Sequence, residues 1–196
     1  NLGSAYAELG KFDKAINCYS RSMEVAEKLD DKRGMGMGIL HKGIIYQQRG
    51  DFDTALDCYN RCLVIQEQLN DKRGIALSLV NIGQIYCNMG FYSKALTYHM
   101  RCLDIREHLG MTKWIGLSCM LIGEIYLYER NYKEALFYLT KAFKLLDNIS
   151  MRSSTYLETA AFLQLTHKYL KNEYDPNTIK TLVSETIANG GRITFQ

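Results

Sequence analysis

Apolar side chains recur at steps of three and four residues between Gly74 and Asn88, which is the spacing of an amphipathic α-helix. The residues on this stripe are Ile75, Leu79, Ile82 and Tyr86. Asp71 precedes the stripe, where its carboxylate can cap the first amides of a helix. Gly90 follows it, and glycine commonly adopts the left-handed conformation that ends a helix. The pattern therefore predicts a helix that stops just before Gly90.

A second run with helical spacing extends from about Tyr92 to Leu109. Its inward stripe is predicted to comprise Ala95, Leu96, His99, Cys102, Leu103 and Ile105. Only a short turn separates the two runs, and helices joined in this way pack antiparallel as a hairpin. The first helix of each hairpin is called helix A here, and the second is called helix B.

The whole hairpin pattern returns every 40 residues. Helix A carries a recurring glycine, at Gly3, Gly43, Gly83 and Gly123. A tyrosine follows three residues later, at Tyr6, Tyr46, Tyr86 and Tyr126, and nine residues on comes an alanine of helix B, at Ala15, Ala55, Ala95 and Ala135. A fixed period of this size is typical of stacked helical units with one continuous core. The fold class that we predict is therefore an all-α solenoid.

The recurring glycine has a steric interpretation. The absence of a side chain at Gly43 would let helix B approach helix A closely, with Ala55 opposite it; Gly83 and Ala95 would do the same in the next hairpin. Tyr46 would then fill the mouth of the hairpin, its ring packed and its hydroxyl near water. We expect these residues to pack, and we expect none of them to catalyse a reaction.

The recurring string is Leu/Ile-Gly-x-x-Tyr-x-x-x-Gly-x-Phe/Tyr-x-x-Ala-Leu-x-x-Tyr. It resembles the signature of the tetratricopeptide repeat (TPR) family over residues 1 to about 149, departing from it at Lys42 and Arg130. The period of 40 and the single proline differ from the ordinary TPR unit of ~34 residues. They resemble the long-helix variety found in kinesin light chain and the Pins/LGN polarity adaptors. The resemblance implies a right-handed superhelical solenoid of helix-turn-helix hairpins.

We accordingly assign residues 1–149 to a TPR array, with a truncated first unit followed by three full units of 40 residues. Residues 150–190 repeat poorly and are predicted to form a degenerate fifth hairpin or capping helices. One of these helices would run from Ser154 to Leu170, and the other from Asp175-Pro176 to about Ala188. Residues 191–196 would form a tail. The chain opens within a helix A pattern, which indicates a piece of a longer array, and an apolar end left by the incomplete first unit predicts end-to-end self-association.

The resemblance also implies a binding surface, because helix A lines the concave groove of TPR arrays and helix B covers the convex back. The groove candidates are Asn1, Ser4 and Glu8 in the first unit, Met37, Leu40, His41, Ile44 and Gln48 in the second, Leu77, Val80, Asn81, Gln84 and Asn88 in the third, and Leu117, Met120, Leu121, Glu124 and Tyr128 in the fourth. None of them is lysine or arginine. A desolvated carboxylate or phosphate needs charge-assisted partners, so the set argues against a carboxylate clamp and against phosphopeptide capture.

Amide side chains are frequent among these candidates, at Gln48, Asn81, Gln84 and Asn88. Each can donate and accept a hydrogen bond, which suits the backbone of an extended peptide. In the long-repeat adaptors, asparagines in such positions hold peptide backbones. Asn1 and Asn81 match that pattern, whereas His41 and Leu121 depart from it.

These features predict a scaffold or adaptor for protein–protein interaction, which binds a peptide or a helical segment of its partner in the concave groove. One alternative is a regulatory arm of a larger signalling protein, whose groove senses a peptide or is closed by the C-terminal helices and tail. For three apolar candidates a role in packing is the alternative to a role in binding. These side chains would pack against neighbouring helices: Met37, Leu77 and Leu117.

Charge and composition narrow the choice of partner and setting. The net charge is only +3, which argues against nucleic acid and acidic membranes as partners. No apolar run approaches the ~18 residues of a membrane span. The six cysteines form no C-x-x-C pair, and four of them fall one repeat apart, as Cys18 with Cys58 and Cys62 with Cys102. Reduced thiols at equivalent positions of stacked helices are therefore expected, which favours the cytoplasm.

Sequence motifs of catalysis are missing. No phosphate-loop, dinucleotide-binding or H-E-x-x-H string occurs. The histidines lie in different units without ligand spacing, at His41, His99, His108 and His167. We therefore predict that the chain is not an enzyme and has no catalytic, cofactor-binding or metal-binding residue.

Overall fold

A computed structural model describes residues 2–147 and 154–169, and every regular element in these two ranges is an α-helix. The helices are α1 (Leu2–Glu8), α2 (Phe12–Lys28), α3 (Lys32–Gln48), α4 (Phe52–Gln68), α5 (Lys72–Asn88), α6 (Tyr92–His108), α7 (Thr112–Tyr128), α8 (Tyr132–Asp147) and α9 (Ser154–Tyr169). The all-α class and the helix-turn-helix hairpins are thereby confirmed. The helix predicted from Ser154 is α9. The helix predicted to reach Ala188 and the tail 191–196 lie outside the described residues, as does Asn1.

Turns with a left-handed residue separate the helices. Gly50 and Gly90 have φ angles of 79° and 78°, as expected for glycines that end helix A. Arg130 takes the corresponding place before α8 with a φ of 59°, and Asn70 before α5 has 50°. Asp71 caps α5, because its Oδ1 accepts a hydrogen bond from the Gly74 N–H at 3.1 Å. The turn geometry therefore persists where glycine is replaced by another residue.

The chain divides into two compact units, each of which is larger than one repeat. The first unit is Asn1–Tyr98, and the second unit is His99–Gln196. In the first unit, helices that follow each other in sequence pack together from α1 to α5. Its core includes a cluster of Ala15, Tyr19 and Ile45, and the ring of Tyr59 is fully buried. A Cβ added to Gly43 would lie 2.8 Å from Tyr59 Cε1 and 3.1 Å from Cys58 Cβ. Helix B thus approaches helix A closely at this glycine, but the side chain opposite it is Tyr59 rather than the expected Ala55.

In the second unit, α7 packs on α8, and α8 packs on α9. A Cβ on Gly123 would lie 2.6 Å from Leu139 Cγ, so this glycine also allows the two helices of a hairpin to come close. Cys119, Ile122 and Leu139 are completely buried between them. The same steric arrangement therefore holds a tyrosine ring in one hairpin and a leucine in another.

The inward stripe of α6 differs from the prediction at two positions, Leu96 and Ile105, which are both half-buried. Arg106, which the predicted stripe does not include, is 3 % exposed. The Arg106 Nη1 donates to Ser118 Oγ at 2.7 Å and to the Trp114 carbonyl at 3.1 Å, and its guanidinium lies 5.3 Å from the centre of the Trp114 ring. A charged side chain can therefore occupy this buried site, because its donors find acceptors on α7.

Candidate peptide-binding surface

Most of the predicted groove residues on α1, α3 and α5 of the first unit are half-buried or exposed. Those that are half-buried are Ser4, His41, Ile44, Val80, Asn81 and Gln84, and those that are exposed are Glu8, Met37, Gln48, Leu77 and Asn88. Met37 is 55 % exposed and Leu77 is 42 % exposed, so neither is packed into the core. Leu40 is buried, and its assignment to this surface is wrong.

The chain brings five of these residues together at a cavity of about 220 Å³ in the first unit. Its lining is Ser4, Ala7, Glu8, Tyr19, His41, Ile44, Ile45 and Gln48. Ala7, Tyr19 and Ile45 were not among the candidates. Tyr19 belongs to α2, a helix B, and the rule that only helix A reaches the groove excluded it. The recurrence of Tyr19 and Tyr59 at one repeat position was the signal that could have drawn attention to this side chain.

Two aromatic rings belong to the lining of this cavity. Tyr19 and His41 stack with centroids 4.9 Å apart and planes inclined by 14°. The Tyr19 hydroxyl lies 3.2 Å from Ser4 Oγ, within hydrogen-bonding distance. His41 Nδ1 lies 2.7 Å from the Met37 carbonyl oxygen, which can only accept, so Nδ1 carries the proton. In the neutral imidazole Nε2 is then an acceptor.

The amides of α5 differ in their partners. Gln84 Nε2 donates to Asn88 Oδ1 at 3.1 Å, so the half-buried Gln84 and the exposed Asn88 are held side by side. Asn81 Nδ2 is buried and has no hydrogen-bond partner in the described part of the chain. An unsatisfied buried donor costs about 1–3 kcal/mol. Asn81 is therefore a polar side chain whose Nδ2 donor is not used by any of the described residues.

The predicted residues of the second unit lie on α7. Leu117, Leu121 and Glu124 are half-buried and Tyr128 is 43 % exposed, while Met120 is buried and does not belong to the surface. The Tyr128 hydroxyl donates to Glu124 Oε1 at 3.0 Å. Burial raises the pKa of the Glu124 carboxyl, the Tyr128 hydrogen bond opposes this, and the neighbouring Glu158 on α9 adds to it. This part of the surface is acidic and partly desolvated.

Between residues 2 and 147 and between 154 and 169, no three histidine, cysteine, aspartate or glutamate side chains gather closely enough to hold a metal ion. All six cysteines are free thiols. None of the described helices combines the length and the apolar character that crossing a bilayer requires.

Comparison with known proteins identifies the repeat. A family model described as Tetratricopeptide repeat matches residues 1–68, 36–108 and 74–148. No curated protein sequence matches the chain. Many solved structures share the fold. BtubC (BKLC) from P. vanneervenii is 17 % identical with a TM-score of 0.82, and the match covers 100 % of this chain and 81 % of that one.

Two further structures show the range of these similarities. Putative kinesin light chain TPR-like repeats from Podosopora anserina are 13 % identical with a TM-score of 0.71, covering 96 % of this chain and 92 % of that one. A signal transduction ATPase with numerous domains from Pyrococcus horikoshii, which has a tetratricopeptide repeat sensor, is 22 % identical with a TM-score of 0.77. The match covers 95 % of this chain and 28 % of that one. At such identities the similarity establishes the fold alone.

Proposed function

This chain belongs to the tetratricopeptide repeat family, and on that premise we propose that it is a protein-interaction scaffold that binds an extended peptide segment of a partner. The binding surface is the outward side of α1, α3 and α5 in the first unit. One observation carries the proposal: five groove residues from two of these helices meet at a cavity of about 220 Å³. A role in binding other proteins is the general property of this repeat. Our proposal specifies that the ligand is an extended peptide and that it binds on this surface.

The chemistry of the surface suits a peptide backbone better than an anion. None of the described groove residues of the first unit is lysine or arginine. Gln48 and Asn88 are exposed and Gln84 is half-buried, while Met37 and Leu77 add exposed apolar surface on the same two helices. Amides can pair with the N–H and C=O groups of an extended chain, and apolar side chains can cover its side chains. We propose no catalytic role for any of these residues.

The proposal is tested by selecting peptides from a random dodecapeptide library on the chain and measuring their affinity by fluorescence anisotropy. Replacing Asn81, Gln84 and Asn88 together by alanine should weaken the selected peptides at least tenfold and leave the circular dichroism spectrum unchanged. A matched control replaces two asparagines and one glutamine on the B helices, namely Asn17, Asn60 and Gln68, which are exposed. Equal affinities of the two triple variants would place the binding site elsewhere.

A second candidate function is a peptide-sensing or autoinhibited regulatory arm. It is favoured by one observation, that the repeat part of the similar Pyrococcus horikoshii protein is described as a sensor. The proposed plug, residues 175–196, lies outside the described residues. Deleting it should raise the affinity for the selected peptides, and an unchanged affinity would count against autoinhibition. The cytoplasmic setting and end-to-end self-association stay predictions from the sequence.

A further inference from the structure

We propose that the cavity between α1, α2 and α3 is a specificity pocket for a basic side chain, lysine or arginine, of the bound peptide. This inference rests on the function proposed above and adds the chemistry of the residue that is recognised. It follows from the polar groups that line the cavity, from its size and walls, and from the charge that the first repeat alone carries at one position.

The Ser4 and Tyr19 hydroxyls lie within hydrogen-bonding distance of each other at 3.2 Å, and each of the other polar side chains that line the cavity offers an acceptor. The Glu8 carboxylate accepts only, and no ion pair engages it among the described residues. His41 Nε2 is an acceptor in the neutral ring because Nδ1 donates to the Met37 carbonyl at 2.7 Å. Gln48 adds an amide oxygen, and no lysine or arginine contributes to the lining. A ligand group that donates several hydrogen bonds and is positively charged complements this set.

The shape of the cavity fits one long side chain. Its volume of about 220 Å³ is below the roughly 300–1,000 Å³ of pockets that hold small-molecule ligands. The walls are apolar at Ala7, Ile44 and Ile45, and the stacked rings of Tyr19 and His41 complete them. Lysine and arginine bury an aliphatic stem along such walls while the charged head stays near water.

Glu8 is placed to meet that head. It is exposed at the end of α1, so an ion pair formed there keeps part of its hydration and avoids the large desolvation cost of a buried pair. The stem would pack on the apolar walls while the head reaches the carboxylate and His41 Nε2.

The Glu8 carboxylate does not recur in the other repeats. The equivalent positions of the following units are Gln48, Asn88 and Tyr128, none of which is charged. Likewise His41 is replaced by Asn81 and Leu121 one and two repeats later. The fold therefore does not require these two side chains, and their combination gives the cavity between the first and second repeats a recognition property that the later repeats lack.

The test uses the random dodecapeptide library on the unmodified chain. We expect lysine or arginine to be enriched at one peptide position, and replacement of that residue by methionine to weaken binding roughly tenfold, the effect of one charge-assisted hydrogen bond. Glu8→Lys should weaken the same peptide by at least as much, and a peptide carrying glutamate at that position should recover affinity for this variant. The matched control is Glu24→Lys, an equal charge reversal on the exposed side of α2, which should leave affinity unchanged.

The outcomes separate this inference from the function on which it rests. The selected peptides could bind the Asn81, Gln84 and Asn88 triple variant more weakly, yet show no preference for a basic residue and no change in affinity for Glu8→Lys. This result would overturn the basic pocket but would still support the peptide-binding surface. Enrichment of acidic residues at the pocket position would overturn it as well. A library that yields no peptide, or only peptides indifferent both to the triple variant and to Glu8→Lys, would overturn both.

Discussion

The ring of Tyr59 lies against the backbone of Gly43, so closely that a Cβ on this glycine would come within 2.8 Å of Tyr59 Cε1. The same ring is fully buried, and its hydroxyl donates to Gln47 Oε1 on α3 at 2.7 Å. Neither helix can move aside without losing this hydrogen bond or exposing the ring. The contact therefore holds helix A and helix B of one hairpin at a short separation.

Gly43→Ala should consequently destabilise the chain. Overpacking of a well-packed core costs about 1–3 kcal/mol, and the gain of up to about 1 kcal/mol from replacing a helical glycine offsets only part of it. Gly36→Ala on the same helix is the matched comparison, because its Cβ would meet only the Ile65 Cγ2 at 3.3 Å. Urea unfolding should show a clearly lower free energy of unfolding for Gly43→Ala than for Gly36→Ala. Equal values would mean that Tyr59 moves away at no cost.

His99 makes the stability of the chain sensitive to acid. It is 1 % exposed, its Nδ1 has no partner in the described part of the chain, and burial together with the nearby Arg106 charge lowers its pKa from 6.5 to about 4. The unfolded chain therefore binds this proton at a higher pH than the folded chain does. Stability from this group is complete above pH 6.5 and falls as the pH drops towards 4, by about 3 kcal/mol in all.

His99→Leu should remove this dependence on pH. Leucine is expected to fit at this site, because Leu139 fills the same position in the fourth repeat and is completely buried there. Between neutral pH and about pH 4.5, the free energy of unfolding should decrease in both proteins. The decrease should be about 2–3 kcal/mol smaller in this variant than in the unmodified chain. His108→Leu, an exposed histidine on the same helix, is the control and should keep the full acid sensitivity. An unchanged pH profile for His99→Leu would assign the effect to other groups.

The six thiols should differ in reactivity. Burial raises the pKa of Cys58, Cys62 and Cys102, and it raises the pKa of Cys119 from 9.0 to about 11. About 100-fold less of the Cys119 thiol is then ionised near pH 8, and only the thiolate reacts. Iodoacetamide pulses read by mass spectrometry should label Cys18, which is half-buried, well before these four. In concentrated urea all six should react alike, and rapid labelling of Cys119 in the native chain would contradict its burial.

Arg106 occupies a site where the preceding repeat has Gln66. In the first unit the Ser78 hydroxyl donates to Gln66 Oε1 at 2.7 Å, and in the second unit Arg106 Nη1 donates to Ser118 Oγ at the same distance. Arg106→Gln should therefore keep the bond to Ser118 and leave stability within about 1 kcal/mol.

Arg106→Ala, by contrast, should lower the free energy of unfolding by about 1–3 kcal/mol or more, because the buried Ser118 hydroxyl and the Trp114 carbonyl lose a donor. Urea unfolding of both variants distinguishes the two effects. Loss of stability to the same extent in Arg106→Gln would mean that the charge, and not the hydrogen bond, stabilises this site.

The family and the helix bounds could be predicted because they depend on local chemistry. The predicted run from Tyr92 to Leu109 is α6 to within one residue, and the resemblance to tetratricopeptide repeats, including those of kinesin light chain, is confirmed. The errors concern which side of a helix is buried. Ile105 was expected inward where Arg106 is, and Leu40 was expected outward but is buried. A rotation of one residue about the helix axis separates these alternatives, and periodicity alone does not resolve it.

The 40-residue recurrence of glycine, tyrosine and alanine thus specified helices, turns and hairpins, because backbone propensities and close packing act over a few residues. The cavity of Glu8, Tyr19 and His41 is of another kind, since its walls come from three separate helices that must first pack together. The rotation and spacing of packed helices place these side chains together. Both quantities depend on contacts between the side chains of the two helices that pack, and not on either helix alone. Charge and shape at the candidate site therefore emerged only when the helices were assembled.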